Sequence, residues 1–183
     1  IVRSWDRCRS SDVNPTLSQT PELLTPDACH RLAEQHRELI EASTPFTESV
    51  RNLLSETNSI LILSDPTGHI LKADGDPATL EAALEVGLIP GGDWQEQSIG
   101  TNAIGTALAA GEPVQVHGAE HFCAGIKAWS CSATIIRDPL NGEILGGVDI
   151  SGLAKAFNPY WLGLAMTLAR SIEERLATRN TKQ

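Results

Sequence analysis

The sequence predicts a mixed α/β (α+β) domain in which a central antiparallel sheet is covered by helices on both faces and is followed by a long terminal helix. Two segments, 59–71 and 132–150, each consist of apolar β-forming residues on either side of an Asp-Pro turn, which predicts two β-hairpins. Predicted strands such as Ile60–Leu63 are apolar at every position. A sheet with one face in water alternates, so these strands indicate a three-layer arrangement.

The first third of the chain is predicted to be helical. A short helix over Ile1–Arg9 opens it, and a polar stretch follows. Thr25-Pro26-Asp27 is a helix-start signal, with a hydroxyl cap before Pro in the first turn, and apolar residues recur at helical spacing over Ala28–Ile40. Thr44-Pro45 repeats this signal and predicts that a second helix begins there.

The region between the two hairpins is predicted to contain two helices and a strand. The elements are a helix near Pro77–Val86, a helix of small residues that ends at Gly111, and a strand at Pro113–His117. After Asn158-Pro159, apolar residues at helical spacing predict a long amphipathic helix that runs to the end of the chain.

The small-residue helix begins in a segment with the glycine spacing of a phosphate-binding loop. Such a loop needs Lys directly after its second glycine, and Thr106 occupies that place. No clear apolar strand leads into Gly100, whereas Ile104 and Leu108 form an apolar i,i+4 pair. We therefore predict a helix that forms one wall of the domain and no nucleotide site.

Composition excludes several function classes for this segment. The net charge is −9, from 14 basic and 23 acidic residues, which argues against nucleic-acid binding. No apolar run approaches the roughly 18 residues that span a bilayer, so no membrane contact is expected. Four cysteines are too few for a disulfide scaffold and favour a reduced, cytoplasmic setting. Because the chain starts at Ile1 and has no secretory leader, we expect a fragment of a longer protein.

Five motifs occur in a characteristic order along the chain. They are Trp94-x-Glu96, then Gly100-Thr-Asn-Ala-Ile-Gly-Thr-Ala-Leu108, then Pro113-Val-Gln-Val-x-Gly118-Ala-Glu-His-Phe122, then Cys131-Ser-Ala133 with Arg137-Asp-Pro139, and Gly146-x-Val-Asp-Ile-Ser-Gly152. The set resembles the N-terminal sensory region of sigma-N-dependent, Fis-family bacterial transcriptional regulators of the acetoin-catabolism-activator type. The early Ser4-Trp5-x-Arg7-Cys8 is similar to the family's opening helix.

The resemblance implies a GAF/PAS-like sensory domain that binds a small organic effector and is not an enzyme. It divides the chain into an N-terminal helix and linker (1–24), a GAF domain (25–157) and a signalling or dimerisation helix (158–183). In the family an AAA+ ATPase module and a Fis-type helix-turn-helix follow, and neither has a counterpart here. Contacts with DNA and sigma factor are therefore expected only through missing domains, and a homodimer through the terminal helices is expected. No metal or cofactor is implied.

In a GAF domain the ligand lies between one face of the sheet and the helices and loops that cover it. A small-molecule pocket needs apolar walls and a few placed polar groups. For each aromatic residue in this region core packing is an equally good interpretation, and for His121 so is a structural hydrogen bond. The candidate ligand-binding residues are Trp94, Asn102, His121, Phe122, Trp129, Ser130, Ser132 and Asp149.

Two questions about these candidates stay open at the sequence level. Strand periodicity separates Trp129 from Ser130 and Ser132, and only one of these sets can face the pocket. Asp149 lies between apolar residues, where a carboxylate is costly to bury without partners. It either accepts a hydrogen bond from a ligand hydroxyl or anchors backbone donors in a turn at Ser151-Gly152, and the sequence favours the second role.

Three other functions compete with effector binding. A zinc- or redox-responsive domain would use His117, His121, Cys123 and Cys131, although their spacing lacks the Cys-x2-Cys of common zinc modules. An enzyme similar to free methionine sulfoxide reductase would use Cys123 and Cys131 as attacking and resolving thiols. A dimerisation or protein-docking module without a small ligand is the third alternative.

Overall fold

The computed structural model describes residues 1–180, over which the chain forms seven α-helices and five strands. The helices are α1 (Val2–Ser10), α2 (Pro26–Gln35), α3 (Arg37–Glu56), α4 (Pro77–Val86), α5 (Glu96–Ile99), α6 (Ala103–Ala110) and α7 (Trp161–Asn180). The strands are β1 (Ile60–Ser64), β2 (Ile70–Gly75), β3 (Val114–His117), β4 (Trp129–Arg137) and β5 (Ile144–Leu153). The end of the predicted segment 158–183 lies outside the described residues. Within residues 1–180 no helix is long and apolar enough to cross a bilayer.

The five strands form one antiparallel sheet in the order β2-β1-β5-β4-β3. Both predicted hairpins, β1–β2 and β4–β5, are confirmed. Asp65 closes the turn of the first hairpin, because its Oδ1 accepts hydrogen bonds from the backbone N–H groups of Gly68 and His69 at 2.8 and 2.9 Å. β4 begins at Trp129, three residues before the predicted start, and β2 continues to Gly75.

The sheet has a separate apolar core on each face, as the continuous apolar strands predict. On the side that we call the α6 face, Ile60, Ile62 and Ala133 pack with residues of α1, α4 and α6. On the opposite side, the α7 face, Leu61 and Leu63 pack with residues of α3 and α7. Helices therefore cover both faces, and the predicted three-layer arrangement is confirmed.

The predicted helix start at Thr44-Pro45 is wrong. The chain breaks earlier, at His36, and α3 then runs without interruption through Pro45. Proline inside a helix lacks the N–H that would bond to the preceding turn, and its ring crowds that turn. Here the Thr44 hydroxyl donates to the carbonyl of Ile40 at 2.8 Å, and Pro45 itself is exposed. The helix persists because its apolar side belongs to the core of the α7 face.

The small-residue helix α6 lies across β4 and β5 on the α6 face. Asn102 caps its N-terminus by accepting from the N–H of Gly105 at 3.0 Å, and Gly111 ends it in the left-handed conformation. A Cβ on Gly105 would lie 2.5 Å from the carbonyl oxygen of Trp94. The helix is therefore a close-packed wall, as predicted, and its glycine is required by the neighbouring backbone.

Candidate functional site

The candidate site is centred on Asp149 in the middle strand, β5. The register places Asp149 opposite Ala133 of β4 and Ile62 of β1, so its side chain points to the α6 face. It is 1% exposed. Its Oδ2 accepts a hydrogen bond from the hydroxyl of Ser151, and its Oδ1 is buried without a partner among residues 1–180. The predicted turn at Ser151-Gly152 is wrong, because β5 continues to Leu153 and the donor is a side chain.

The environment of Asp149 disfavours ionisation. Burial raises the pKa of this carboxyl to about 7, although the hydrogen bond from the Ser151 hydroxyl and the nearby backbone N–H of Ser132 act in the opposite direction. Cys131 lies opposite Ser151 on the same face, and burial together with the nearby Asp149 charge raises the pKa of its thiol well above the usual range. The centre of the α6 face is thus a small polar group of atoms in an apolar wall.

The register of β4 shows which of its two sets of alternating residues faces the candidate site. Trp129 and Cys131 point to the α6 face with Asp149, whereas Ser130 and Ser132 point to the α7 face. The Ser130 hydroxyl is hydrogen bonded to the ring of His117, and the Ser132 hydroxyl accepts from the Gln115 amide at 2.8 Å. Ser130 and Ser132 therefore cannot line the same pocket as Trp129 and Asp149.

Trp94 and Asn102 are buried in the cover of the α6 face, and their polar groups already have protein partners. The Trp94 indole N–H donates to the carbonyl of Gly87 at 2.9 Å. The Asn102 amide donates to the carbonyl of Trp94 at 2.8 Å, while its oxygen caps α6. Both residues shape the cover of the candidate site, and any ligand contact from them would be apolar.

His121 and Phe122 follow β3 and also lie in the cover. His121 is fully buried, and its Nδ1 lies 2.9 Å from the carbonyl of Gly118, which assigns the ring proton to Nδ1. Burial lowers the pKa of His121 to about 4, so the ring is neutral at pH 7. Its buried Nε2 is then an acceptor with no partner in the part of the chain that the structure describes. The Phe122 ring meets the Trp5 ring edge to face at 5.2 Å between centroids.

The residues considered for zinc or thiol chemistry are not brought together. His117 lies on the α7 side of β3, and Cys131 lies on the α6 face of β4. No group of three or more His, Cys, Asp or Glu within the described chain is arranged to hold a metal ion. Burial raises the pKa of the Cys123 thiol to about 11, so neither Cys123 nor Cys131 supplies a reactive thiolate.

The candidate site is closed to solvent. Asp149, His121, Trp94 and Trp129 are each no more than 3% exposed. Two grooves on the surface do not include Asp149 in their lining. One of about 590 Å³ lies between α1 and α5–α6, and one of about 530 Å³ lies between α3 and α7. A ligand therefore reaches Asp149 only when part of the cover moves.

Sequence reasoning placed the partner of Asp149 at Ser151-Gly152 but expected backbone donors in a turn, and it missed the role of the Ser151 hydroxyl. A serine followed by glycine is typical of a turn, and this local signal concealed the strand. Strand periodicity offered a second signal, since residues two apart on a strand share a face.

Comparison with solved structures finds the same fold in bacterial proteins, including a GAF domain. This chain superposes on a chain of the Escherichia coli DhaR(N)–DhaL complex with a TM-score of 0.93 at 22% identity. The match covers 98% of this chain and 61% of that one. The GAF domain region of a Geobacter sulfurreducens protein matches 79% of the chain, and the chain covers 99% of that region, with a TM-score of 0.52 at 14% identity. Both likenesses concern the fold.

Sequence comparison gives the family. The chain matches the family described as MimR, N-terminal domain, over residues 1–174, and it belongs to that family. It is 33% identical over 183 residues to the acetoin dehydrogenase operon transcriptional activator AcoR of Bacillus subtilis. That alignment covers all of this chain and 30% of the activator. The protein is therefore a regulatory N-terminal domain of the kind that transcriptional activators of operons carry, and the expected resemblance is confirmed.

Proposed function

We propose that this domain binds a small organic effector on the α6 face around Asp149. The observation that carries the proposal is the free Oδ1 of this fully buried carboxyl. Buried polar groups in proteins nearly always have a hydrogen-bond partner, so a donor from a bound molecule completes the set. Trp129 and Ile62 provide the apolar surroundings that small-molecule sites share.

The effector would act by shifting an equilibrium between two states of the domain. A molecule that contacts Asp149 only when the cover is rearranged stabilises that arrangement by its differential affinity. The chain covers 30% of a similar transcriptional activator. Following the family resemblance, we propose that α7 passes the change to an AAA+ ATPase and a DNA-binding module, which would contact sigma factor and DNA. A protein with that role works in the cytoplasm.

A pair of serine variants tests the location of the site. Ser151 and Ser132 are fully buried, lie on neighbouring strands and point to opposite faces of the sheet. A thermal-shift screen of short diols, alcohols, ketones and phenols supplies a binding probe. We expect Ser151→Ala to weaken the binding of that probe by about tenfold, because it releases the carboxyl that the effector contacts, and Ser132→Ala to leave it unchanged. Calorimetric titration of both variants measures the difference.

The possible results distinguish the position of the binding site from the proposal that the domain senses a small molecule. Equal affinity in Ser151→Ala and the parent protein would contradict a site at Asp149, even if a compound binds elsewhere. A screen in which no compound raises the melting temperature would contradict small-molecule sensing itself.

A homodimer through the terminal helices is part of the proposal. The groove between α3 and α7 is lined mainly by apolar residues, and Leu53, Tyr160 and Met166 are exposed along these helices. Exposed apolar surface of this kind is typical of association sites. Light scattering coupled to size exclusion tests the idea, and a monomer at micromolar concentration would contradict it.

A protein-docking module is the second candidate function. The similar DhaR domain was solved in complex with DhaL, and the interior of the present domain is closed. In this case the regulatory input would be a partner protein on the outer surface. A failed compound screen together with binding of a protein encoded beside this regulator would favour this function.

A further inference from the structure

The first 25 residues form a continuous strap across the outside of the cover of the α6 face. The strap, residues 1–25, begins with α1 and continues without regular structure to the start of α2. Along its length it bonds in turn to the α5–α6 segment, to residues 120–125, and to the loop that follows α4. These three segments are the same ones that close the candidate site.

The α1 end of the strap is held by a buried polar cluster around Glu96. The Ser4 hydroxyl, 1% exposed, lies 2.5 Å from Glu96 Oε1 and 2.6 Å from the hydroxyl of Thr101. Arg7 donates two hydrogen bonds to the same carboxylate, at 2.6 and 2.8 Å. Burial of Glu96 opposes ionisation, but the hydrogen bonds from Arg7, Ser4 and Thr106 outweigh it and lower its pKa.

The Trp5 side chain fixes the strap to the segment that follows β3. Its indole N–H donates to the carbonyl of Glu120 at 2.8 Å, and its ring contacts Phe122. A Cβ on Gly100 would lie 2.7 Å from the Cβ of Phe122, so this ring is held between the strap and the α5–α6 loop. The strap thus contacts two segments of the cover, the one that follows β3 and the α5–α6 segment.

The remainder of the strap binds through its main chain. The N–H groups of Ala124 and Gly125 donate to the carbonyls of Pro15 and Leu17 at 2.8 and 2.9 Å. A Cβ on Gly125 would lie 2.0 Å from the carbonyl oxygen of Ser18, so this position requires glycine for the strap to lie flat. Further along, the Thr20 hydroxyl donates to the carbonyl of Asp93 at 2.5 Å.

We propose that the strap is the gate of the effector site: its release opens the α6 face, and its contacts with Glu96 and Phe122 keep that face closed. That an effector binds beneath the strap depends on the proposed function. That the strap opens does not depend on it. The strap is held by hydroxyl, ionic and main-chain groups together with the buried side chains of Cys8 and Val13. Water can replace the polar partners when they separate, which lowers the cost of opening the strap relative to a cover held by apolar contacts alone.

The rate at which native cysteines are chemically modified measures whether the strap and the site beneath it open. All four are free; Cys8 is buried on the strap side facing α5, and Cys131 is buried beneath the cover beside Asp149. We expect Arg7→Ala to raise the rate of modification of both Cys8 and Cys131 by N-ethylmaleimide by about tenfold. Arg3→Ala is the matched control, because Arg3 lies on the same helix and is exposed. Mass spectrometry of the digested 183-residue chain measures each site.

Amide hydrogen exchange on the same samples distinguishes release of the strap from a general loss of stability. We expect faster exchange in residues 1–25 and 96–126 of Arg7→Ala and unchanged exchange in α3 and α7, which lie on the other face. Faster modification of Cys8 without Cys131, or faster exchange throughout the chain, would overturn the gate. Ser4→Ala, which changes no charge, gives the same test if Arg7→Ala does not fold. Neither measurement uses an effector, so its failure leaves effector binding to be judged separately.

Discussion

Asp149 makes a pH-dependent contribution to the stability of this domain. Its pKa rises from an ordinary 3.8 to about 7 in the folded state, because burial disfavours the charge. Between these two values the folded protein holds more protons than the unfolded chain. The free energy of unfolding therefore falls as pH rises through this window, and the full cost of the buried charge is present above the folded pKa.

Asp149→Asn removes this dependence, because the amide cannot ionise. We expect the variant to gain stability relative to the parent by ~1.4 kcal/mol per pH unit between the two pKa values, and the difference to level off above the upper one. Denaturant unfolding of both proteins from pH 4 to pH 8 measures the difference. A constant difference over this range would show that the carboxyl is charged throughout.

At the scale of residues, the sequence predicts alternation but not its direction. The division of Trp129 from Ser130 and Ser132 follows from strand geometry alone. Which set meets α6 depends on how β4 and β5 pair, and a register shift of one residue would exchange the two faces. Asp149 and Ser151 lie two residues apart on β5 and share a face whatever the pairing, so only the mistaken turn at Ser151-Gly152 concealed their contact.

At the scale of elements, local sequence signals predicted where a helix begins when the neighbouring residues agreed with them. Thr25 caps α2 and Asp76 caps α4, each followed by Pro in the first turn, and both helices begin as the sequence indicates. Thr44-Pro45 carries the same signal in the middle of an apolar stripe. There, packing on the α7 face outweighs the cost of the proline, and tertiary structure overrides the local preference.

Pro45→Ala tests that explanation. Because Pro45 is exposed and no packing is lost, the restored backbone N–H should raise the free energy of unfolding by about 1–2 kcal/mol, part of the proline penalty being offset by a freer unfolded chain. Thermal and urea unfolding measure the gain. A less stable variant would mean that the backbone conformation that Pro45 favours contributes to the packing of α3 on the sheet.

At the scale of the whole molecule, the layers were predictable and the strap was not. Continuous apolar strands require cover on both faces, and this one inference gave the architecture. Residues 11–25 contact distant segments through main-chain and hydroxyl bonds and through the isolated apolar side chains of Val13 and Leu17, which leave no periodic pattern in the sequence. The predicted division of 1–24 from the rest of the domain remains a prediction, although these residues pack along the cover.

Gly152 joins the sheet to α7 and provides a test at this scale. A Cβ on Gly152 would lie 2.6 Å from Cη2 of Trp161, the first residue of α7. We expect Gly152→Ala to lower the free energy of unfolding by about 1–3 kcal/mol through overpacking. Gly163→Ala is the control, because no atom lies within 4 Å of its Cβ and helix propensity should make it slightly stabilising. Equal effects of the two substitutions would contradict the tight contact.

The contact between Gly152 and Trp161 also brings the start of the terminal helix close to the candidate site. Ser151 holds Asp149 on one side of the sheet, and the indole of Trp161 rests on the main chain of the next residue from the other side. The peptide unit between Ser151 and Gly152 thus links the serine that binds the buried carboxyl to the main chain on which the first residue of α7 rests. A tilt of that unit would move the Ser151 hydroxyl and the seat of Trp161 together.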